Sequence, residues 1–469
     1  MTTELWRNGA SELAALIARR EVSATEVVTA HLARIAQVNP QLNAVVRVLA
    51  DEALAAAATA DRAQGAGQPL GPLHGVPFTV KENIDVAGTP TTQAMKPLAA
   101  AVVTEDAPIV ARMRAAGAIV IGRTNLPDMG LRIHTDSSLH GLTRNPWHAG
   151  RTAGGSSGGE ASALASGMSP IGLGNDIGGS LRNPAHCCGV ASIKPSQNRV
   201  PAGMTVPSPD PFLAAQLMAT DGPMARRVAD VRLGLRIIVG QSGWSPFIAP
   251  VPLDGMGPQS GRLRVAVMSD PPGGSTAANV IVGVERAAAA LAAAGHFVTV
   301  AMPPLYTEAI ESWGGLLMTE IAGMLPMIAP LMGADALSFL EAALEGIPAL
   351  TADAYALNHI TRHAIARAWV AFFADYDVLL SPVWTQQAFE HGADLGGVEA
   401  AMNTLDLLRP VLPANLLGLP AAVVPAGVYD GLPSGVQIIA PLWHDLTALY
   451  AAEEIENALG TITPIDPRT

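Results

Sequence analysis

A stretch rich in glycine and serine, residues 154–180, constrains this chain more than any other. It reads GGSSGGEASALASGMSPIGLGNDIGGS, and 15 of its 27 residues are glycine or serine. Flexible linkers share this composition, but they stay polar to remain solvated. Apolar residues of the kind found in protein cores interrupt this one: Leu164, Met168, Pro170, Ile171, Leu173 and Ile177. The stretch therefore predicts buried backbone that approaches another group closely, as glycine permits.

The composition favours a large globular protein and disfavours several classes of partner. Of the 469 residues, 49% are hydrophobic and 14% are charged, which is enough apolar material for a large core. We find no run of about 18 uninterrupted apolar residues and therefore expect no membrane span. The formal net charge of −12 disfavours nucleic acid, because binding phosphates requires a basic face.

The N-terminal residues and the cysteines favour a cytoplasmic location. The opening MTTELWRNGASELAALIARR lacks the basic region followed by an apolar run that marks a secretory signal. The two cysteines, Cys187 and Cys188, are adjacent, so they cannot cross-link the fold, and two thiols are too few for a structural zinc site. We expect both thiols to be reduced and buried. We also expect the protein to be a monomer or a homodimer.

Helix and strand patterns alternate along the chain and predict an α/β fold. Residues 10–64 are expected to be helical, with a capping box from Ser23 to Glu26. Residues 107–125 have the helix–glycine–strand order of a crossover, and 420–441 resembles an antiparallel hairpin. We predict one large α/β domain whose twisted mixed sheet is surrounded by helices: an N-terminal helical segment, 1–64, packed on a domain spanning 65–469, with a loop at 241–262.

Several common catalytic motifs are incomplete. The pattern G-x-G-x-x-G fails at Ile177, and no lysine follows the glycines as a phosphate-binding loop requires. The H-E-x-x-H metal motif is absent from the sequence. A G-x-S-x-G elbow around Ser180 is also missing, because Leu181 and Arg182 follow the serine. We therefore expect neither a metal nor an organic cofactor.

A serine nucleophile remains open if a lysine takes its proton. The lysine must then be neutral, with a pKa lowered from about 10.4 to about 7–8 by burial. Lys81 follows the apolar run GVPFTV and is the candidate, although it also fits an exposed strand end. Glu82 is adjacent, but neighbours in an extended segment point to opposite faces, so it need not pair with Lys81.

Two further features complete this candidate site. Ser156 and Ser157, flanked by glycines, offer a hydroxyl relay between a lysine and a distant serine. Residues 177–180, IGGS, present successive backbone N–H groups with little side-chain bulk, and such a nest can hold an oxyanion.

Three separated blocks resemble the amidase signature family in that family's order. They are GVPFTVKENIDVAG at 75–88, the segment 122–196 that contains GGSSGG and DIGGS, and 414–441 near the C-terminus. The resemblance implies the amidase signature fold for 65–469. It also implies that Lys81 is the general base, that Ser156 is a bridging serine in a cis peptide, and that Ser180 is the acylated nucleophile.

The resemblance assigns supporting roles as well. It implies an oxyanion hole formed by the backbone N–H groups of Ile177, Gly178, Gly179 and Ser180. It further implies substrate contacts from Met129, Gly130 and Ser157, of which Gly130 would present its carbonyl, and it gives Asp176 and Arg182 a role in holding the site together.

The chain also departs from the family pattern. Asn175 replaces a small hydroxyl residue, and His186 and Cys187 replace bulkier apolar residues, which would reshape the pocket. Residues of about 241–375 carry no motif that we assign to the family, and we expect them to form a variable substrate entrance. Its larger apolar side chains either line that entrance or pack the core: Trp313, Met318, Met324, Met327 and Met332.

These observations predict an amidase that cleaves a small-molecule amide through an acyl-enzyme on Ser180. Aryl esters and carbamates (urethanes) are further candidate substrates. Two alternatives stay open: an amidotransferase subunit that releases ammonia from glutamine for a partner acting on aminoacyl-tRNA, and a non-catalytic binding protein on the same fold.

Overall fold

The structure, a computed structural model, describes residues 4–468. Its largest element is an 11-stranded sheet with the order β1-β3-β2-β8-β10-β9-β14-β15-β13-β11-β12, and β4–β5 and β6–β7 form two small sheets. The strands are β1 Val45–Val48, β2 Pro77–Lys81, β3 Ile119–Thr124, β4 Asp136–Ser137, β5 Gly141–Leu142, β6 Arg144–Asn145, β7 His148–Thr152, β8 Ile171–Asp176, β9 Ala191–Lys194, β10 Thr220–Ala225, β11 Arg264–Val267, β12 Phe297–Val300, β13 Val378–Pro382, β14 Ala421–Tyr429 and β15 Leu432–Ile439.

Helices surround this sheet. They are α1 Ala10–Ala18, α2 Ala24–Leu42, α3 Ala50–Gly65, α4 Pro108–Ala115, α5 Gly158–Ala165, α6 Arg182–Cys188, α7 Leu213–Met218, α8 Val228–Ile238, α9 Ala278–Ala293, α10 Tyr306–Ile328, α11 Ala334–Gly346, α12 Ala352–Asp375, α13 Val398–Asp406, α14 Leu412–Leu416 and α15 Asp445–Leu459. Short 3₁₀ helices span Leu5–Arg7, Lys96–Leu98, Asp128–Gly130 and Ala329–Leu331.

The sheet is mixed, as the sequence predicts. Strand β2 runs parallel to both β3 and β8, whereas β8 and β10 are antiparallel. Strands β14 and β15 form the predicted antiparallel hairpin, in which Val423 lies opposite Gln437. The 241–262 segment contains no helix or strand, in agreement with its glycine- and proline-rich sequence.

The N-terminal segment differs from its prediction in one respect. The capping box forms: the amide of Glu26 donates to Ser23 Oγ at 3.1 Å, and the amide of Ser23 donates to the Glu26 carboxylate at 2.8 Å. However, helix α2 ends at Leu42, the following Asn43 is left-handed with a φ of 52°, and Val45–Val48 then pairs antiparallel with β3. The prediction that 10–64 is entirely helical is therefore wrong at β1, and residue 64 does not separate a helical layer from the sheet.

Alternation along each strand divides the core between the two faces of the sheet. On β2, Phe78 and Val80 belong to one apolar cluster with α1, α2 and α8. The intervening Thr79 and Lys81 therefore point to the opposite face, which is covered by α5. A second apolar cluster, built largely from α10, α12 and α14, lies on that opposite face further along the sheet. The polar side chains of β2 thus lie on the face covered by α5, here called the polar face.

Helix α10 is notable for its length and hydropathy. Together with the following turn it spans Tyr306–Leu331, and by length and composition alone this segment is long enough to cross a membrane. Over its most apolar 18 residues the mean hydropathy is 1.4, and 39% of these residues are buried. Core helices of water-soluble proteins have the same properties, and α10 packs on α12 and α14. The expected absence of a membrane span stays a prediction.

Candidate active site

Lys81 ends strand β2 on the polar face of the sheet and is fully buried. Its Nζ lies 2.7 Å from Ser156 Oγ, and an N–H of the same amine donates to Asn175 Oδ1 at 2.6 Å. Glu82 turns away from it: one carboxylate oxygen accepts from Thr92 Oγ1 at 2.6 Å and lies 2.5 Å from His140 Nε2. Lys81 is therefore not an exposed strand end, and its chain neighbour does not neutralise it.

Burial controls the protonation of Lys81. Loss of solvent lowers the pKa of Lys81 to about 7, even though the carboxylates of Asp221, Asp176 and Glu160 act to raise it. Burial outweighs attraction because none of the three carboxylates lies in contact with the amine. Near neutral pH a large fraction of this lysine is therefore uncharged and able to accept a proton.

Ser156 lies two residues before helix α5, and the Gly155–Ser156 peptide bond is cis. Gly155 has no room for a side chain, since an added Cβ would lie 2.5 Å from the backbone carbon of Ile133. Gly130 approaches from the other side: its φ is +70°, and an added Cβ would lie 3.1 Å from Ser156 Oγ. The structure thus brings Gly130, Ser156 and Lys81 together.

Ser180 lies in the turn between β8 and α6 and is only 6% exposed. Its carbonyl accepts from the amide of Ser157 at 3.3 Å. Ser157 also donates its hydroxyl to the Asn175 carbonyl at 3.4 Å. The two ends of the glycine- and serine-rich stretch therefore meet, and the turn that carries Ser180 adjoins the start of α5.

The four amides of residues 177–180 are not equivalent. The Gly179 amide donates to Asp176 Oδ1 at 2.7 Å, so this donor is already committed and its predicted place in the oxyanion hole is not supported. Within residues 4–468, the amides of Ile177, Gly178 and Ser180 donate to no protein acceptor. Three of the four predicted donors remain free.

Asp176 and Arg182 form the buried support beneath this turn. Burial raises the pKa of Asp176, but the guanidinium of Arg182 outweighs it and holds that pKa at about 2. Two Arg182 nitrogens donate to the Asp176 carboxylate at 3.0 and 3.1 Å, and Asn415 Nδ2 donates to it at 2.8 Å. Asp176 also accepts from the Leu181 amide at 3.1 Å. These contacts fix the turn on both sides of Ser180.

Sequence reasoning missed two buried acids near Lys81. Glu160, on α5, accepts from the hydroxyls of Thr79 and Thr124, and burial raises its pKa to about 7. Asp221 lies opposite Asn175 in the β10–β8 register, and burial raises its pKa to about 7 as well. The sequence signal for Glu160 was a single acidic residue in a segment, GGEASALA, whose other residues are small or apolar.

The residues that depart from the family pattern fall into two groups. Asn175 belongs to the site, since it accepts from Lys81 and donates its amide to Asn83 Oδ1 at 3.0 Å. His186 and Cys187 are buried on α6, where His186 Nδ1 accepts from the Gly435 amide at 3.0 Å and Nε2 lies 3.1 Å from the Gln386 carbonyl. Both pack α6 against the sheet.

The apolar side chains named in the variable region also separate. Trp313 and Met318 are buried in the second core cluster, Met324 and Met332 pack partly buried against it, and Met327 is 69% exposed. Trp313 nevertheless reaches the site, because its indole N–H donates to the Ile177 carbonyl at 2.9 Å. Met129 is partly exposed beside Gly130 and packs against the same cluster.

Among the described residues, no group of three or more His, Cys, Asp or Glu side chains is arranged to hold a metal ion.

Comparison with known proteins supports the resemblance found in the sequence. The family model for Amidase matches residues 26–449. An indoleacetamide hydrolase from Bradyrhizobium diazoefficiens is 40% identical over 463 residues, covering 98% of this chain and 88% of that enzyme. An acylamidase from Rhodococcus erythropolis is 34% identical over 465 residues, covering 95% and 94% of the two chains.

A solved structure extends the match to the fold. The structure of 6-aminohexanoate cyclic dimer hydrolase complexed with substrate superimposes with a TM-score of 0.84 at 30% identity, and the match covers 99% of both chains. The predicted single large domain with a mixed sheet is thereby confirmed, as is the class of enzyme: a hydrolase of carbon–nitrogen bonds whose relatives act on small amides. The chain belongs to the amidase signature family.

Proposed function

We propose that this enzyme hydrolyses small, uncharged amides through an acyl-enzyme on Ser180, with Lys81 as the base and Ser156 as the relay. The observation that carries the proposal is the 2.7 Å contact between Lys81 Nζ and Ser156 Oγ, made by a fully buried amine that has no carboxylate partner among residues 4–468. A neutral amine has one lone pair, which accepts from the Ser156 hydroxyl, and two N–H bonds, one of which Asn175 satisfies.

The first half of the reaction acylates the enzyme. Ser180 Oγ attacks the substrate carbonyl carbon while its proton passes to Ser156 Oγ, whose own proton passes to Lys81 Nζ. The carbonyl oxygen becomes an oxyanion, for which the free amides of Ile177, Gly178 and Ser180 are the donors. As the C–N bond breaks, the proton returns through Ser156 to the departing nitrogen, which leaves as an amine or ammonia.

Water completes the cycle by the same route. It attacks the Ser180 ester and gives its proton through Ser156 to Lys81. The second tetrahedral intermediate then expels Ser180, which regains a proton as the acid leaves. Neither half of the reaction requires the leaving atom to be nitrogen, so aryl esters and carbamates are proposed as secondary substrates. The carbamic acid that an O-aryl carbamate would give in this way loses carbon dioxide in solution.

The substrate class follows from the surroundings of the turn and from the relatives. Met129, next to Gly130, and Ile177, within the turn, present partly buried apolar side chains there. An indoleacetamide hydrolase is 40% identical to this chain. We therefore propose primary amides with an apolar acyl group, arylacetamides foremost, as the preferred substrates.

A substrate panel and one variant pair test the proposal. The kcat/KM for arylacetamides, anilides, p-nitrophenyl esters, O-aryl carbamates and glutamine is measured for the native enzyme and for Ser180→Ala. Ser192→Ala is the matched control, because Ser192 is also buried and its hydroxyl has no partner within the described residues.

We expect arylacetamide hydrolysis to fall at least about 10⁴-fold in Ser180→Ala, in line with nucleophile removal in other serine hydrolases, and to persist in Ser192→Ala. A fluorophosphonate should label the native enzyme and not the Ser180→Ala variant. Retained turnover in Ser180→Ala would refute the nucleophile, and glutamine as the best substrate would favour the amidotransferase alternative.

A further inference from the structure

The peptide between Ile177 and Gly178 is held by a side chain from a distant part of the chain. Trp313 Nε1–H donates to the Ile177 carbonyl at 2.9 Å across a separation of 136 residues. This peptide bond is trans, so its C=O and N–H point in opposite directions. A group that fixes the Ile177 carbonyl therefore also fixes the direction of the Gly178 N–H.

We propose that Trp313 is a positioning residue for catalysis: it orients the Ile177–Gly178 peptide so that the Gly178 N–H meets the oxyanion. This inference rests on the proposed function, because it assigns the Gly178 amide to the cradle described there. Trp313 itself touches neither the reacting carbonyl nor Ser180 in this role, and it acts only through the peptide it holds.

The neighbouring peptides are anchored by nearby residues. The Gly179 carbonyl accepts from the Asn183 amide at 2.6 Å, which fixes the peptide that carries the Ser180 N–H. The Gly178 carbonyl accepts from Asn183 Nδ2 at 3.2 Å. Within residues 4–468, the Ile177 carbonyl has Trp313 as its one hydrogen-bond donor. The orientation of the Gly178 amide thus depends on helix α10, whereas that of the Ser180 amide depends on α6.

Packing adds to the hydrogen bond. An added Cβ at Gly178 would lie 2.6 Å from Trp313 Cζ2, so the indole ring lies directly against the Gly178 backbone. Glycine allows rotation of its peptide at little cost, and without a restraint the 177–178 peptide is the flexible point of the turn. The ring is itself fixed, since Trp313 is 4% exposed and the adjacent Ser312 donates to Asn358 of α12 at 2.5 Å.

The expected kinetic signature separates positioning from general packing. An oxyanion donor acts mainly in the transition state, and removing one costs about 10²–10³ in kcat in other enzymes. Misdirecting one of several donors should cost less, roughly 10–100-fold in kcat, with KM changed less than about twofold. An inhibitor that forms a tetrahedral adduct should weaken by the same factor as kcat, because it relies on the same donor.

The test replaces Trp313 by phenylalanine, which keeps an aromatic ring and removes the N–H. Trp369→Phe is the matched control: Trp369 is buried in the same cluster and donates its own indole N–H to the Pro304 carbonyl at 3.1 Å. Readouts are kcat and KM for an arylacetamide and Ki for the corresponding trifluoromethyl ketone, all normalised to fluorophosphonate-labelled sites. A second form of the enzyme carries 3-benzothienylalanine at position 313, which keeps the ring volume and replaces N–H by sulfur.

We expect kcat to fall and Ki to rise together in both forms altered at 313, and to stay within about twofold of native in Trp369→Phe. A native kcat in the 313-benzothienyl enzyme would overturn the inference, as would an equal loss in the Trp369→Phe control. If Ser180→Ala retains activity, the proposed function fails as well. If Ser180→Ala is inactive and the 313 variants are native, only the role of Trp313 fails.

Discussion

The activity of this enzyme should rise with pH through about 7, because the base must be uncharged. Burial lowers the pKa of Lys81 from 10.5 to about 7. This pKa difference of about 3.5 corresponds to roughly 5 kcal/mol in favour of the neutral amine. The free-energy cost of removing the charged amine from water must be larger than this, because the nearby carboxylates stabilise the charged form. At pH 7 an ordinary lysine is neutral in about one molecule in 3,000, whereas Lys81 is neutral in about half of them.

The sign and size of the pH effect follow directly. The active form lacks a proton, so the rate grows as pH rises and levels off above about 8. With a pKa near 7, the neutral fraction increases roughly 90-fold between pH 5 and pH 8. Glu160 and Asp221 titrate in the same range, so the inflection belongs to this cluster of buried groups rather than to one amine alone.

The assay is kcat/KM for an arylacetamide from pH 5 to pH 10 at constant ionic strength, since this ratio reports ionisations of the free enzyme. Circular dichroism at each pH identifies any acid unfolding, which would imitate the expected loss. A flat profile from pH 5 to pH 9 in folded enzyme would refute the assignment of Lys81 as base. An inflection near 10 would refute the argument from burial.

Three substitutions test other parts of the site. Asp221→Asn removes a carboxylate that raises the pKa of Lys81, so the inflection should move to lower pH in the same kcat/KM profile. Gly130→Ala introduces a Cβ 3.1 Å from Ser156 Oγ at a φ of +70°, and kcat should fall by about 10-fold or more while urea unfolding shows a loss of about 1 kcal/mol or more. Arg182→Met leaves a buried carboxylate unpaired, and the free energy of unfolding in urea should fall by about 3–5 kcal/mol.

Each substitution has a control within the chain. Glu82→Gln matches Asp221→Asn, because Glu82 is a buried acid that follows Lys81 in the chain but pairs with His140. The pH inflection of the Glu82→Gln enzyme should be that of the native enzyme. Gly88→Ala matches Gly130→Ala for the effect on kcat: its φ of +79° predicts a similar loss of stability, but no described atom lies within 4 Å of an added Cβ, so kcat should stay near native. Arg236→Met matches Arg182→Met at an exposed ion pair, where the loss should stay below about 1 kcal/mol. An equal shift of the pH inflection in the first pair, an equal loss of kcat in the second or an equal loss of unfolding free energy in the third would contradict the corresponding prediction.

The part of the site that sequence reasoning anticipated rests on local rules. Alternation along a strand places Lys81 and Glu82 apart, and the structure gives them separate partners. The glycines of 154–180 were expected to mark close approach, and Gly155 does approach the Ile133 backbone. The Gly179 amide could also have been anticipated, since an aspartate commonly binds an amide a few residues later in a turn, as Asp176 does here.

What the sequence did not reveal depends on strand order and on contacts between distant segments. Asp221 reaches Asn175 because β10 pairs with β8, and nothing within residues 215–225 indicates that pairing. Strand β1 was missed because four residues between two helices carry too short a pattern. The sequence leaves Trp313 either in the entrance or in the core; its burial supports the core, but its hydrogen bond to Ile177 depends on how α10 crosses the site.

The link between α10 and the Ser180 turn has a consequence for engineering. Lys81, Ser156 and Ser180 all precede residue 184, whereas Trp313 lies in the 241–375 region that the sequence predicts to be the substrate entrance. A chimera carrying another enzyme's segment there would change the hydrogen bond to Ile177 together with the shape of the entrance. Turnover in such chimeras would reflect the rigidity of the turn as well as substrate fit, and a transplanted segment that lacks a donor at this position would yield a slow enzyme with native substrate affinity.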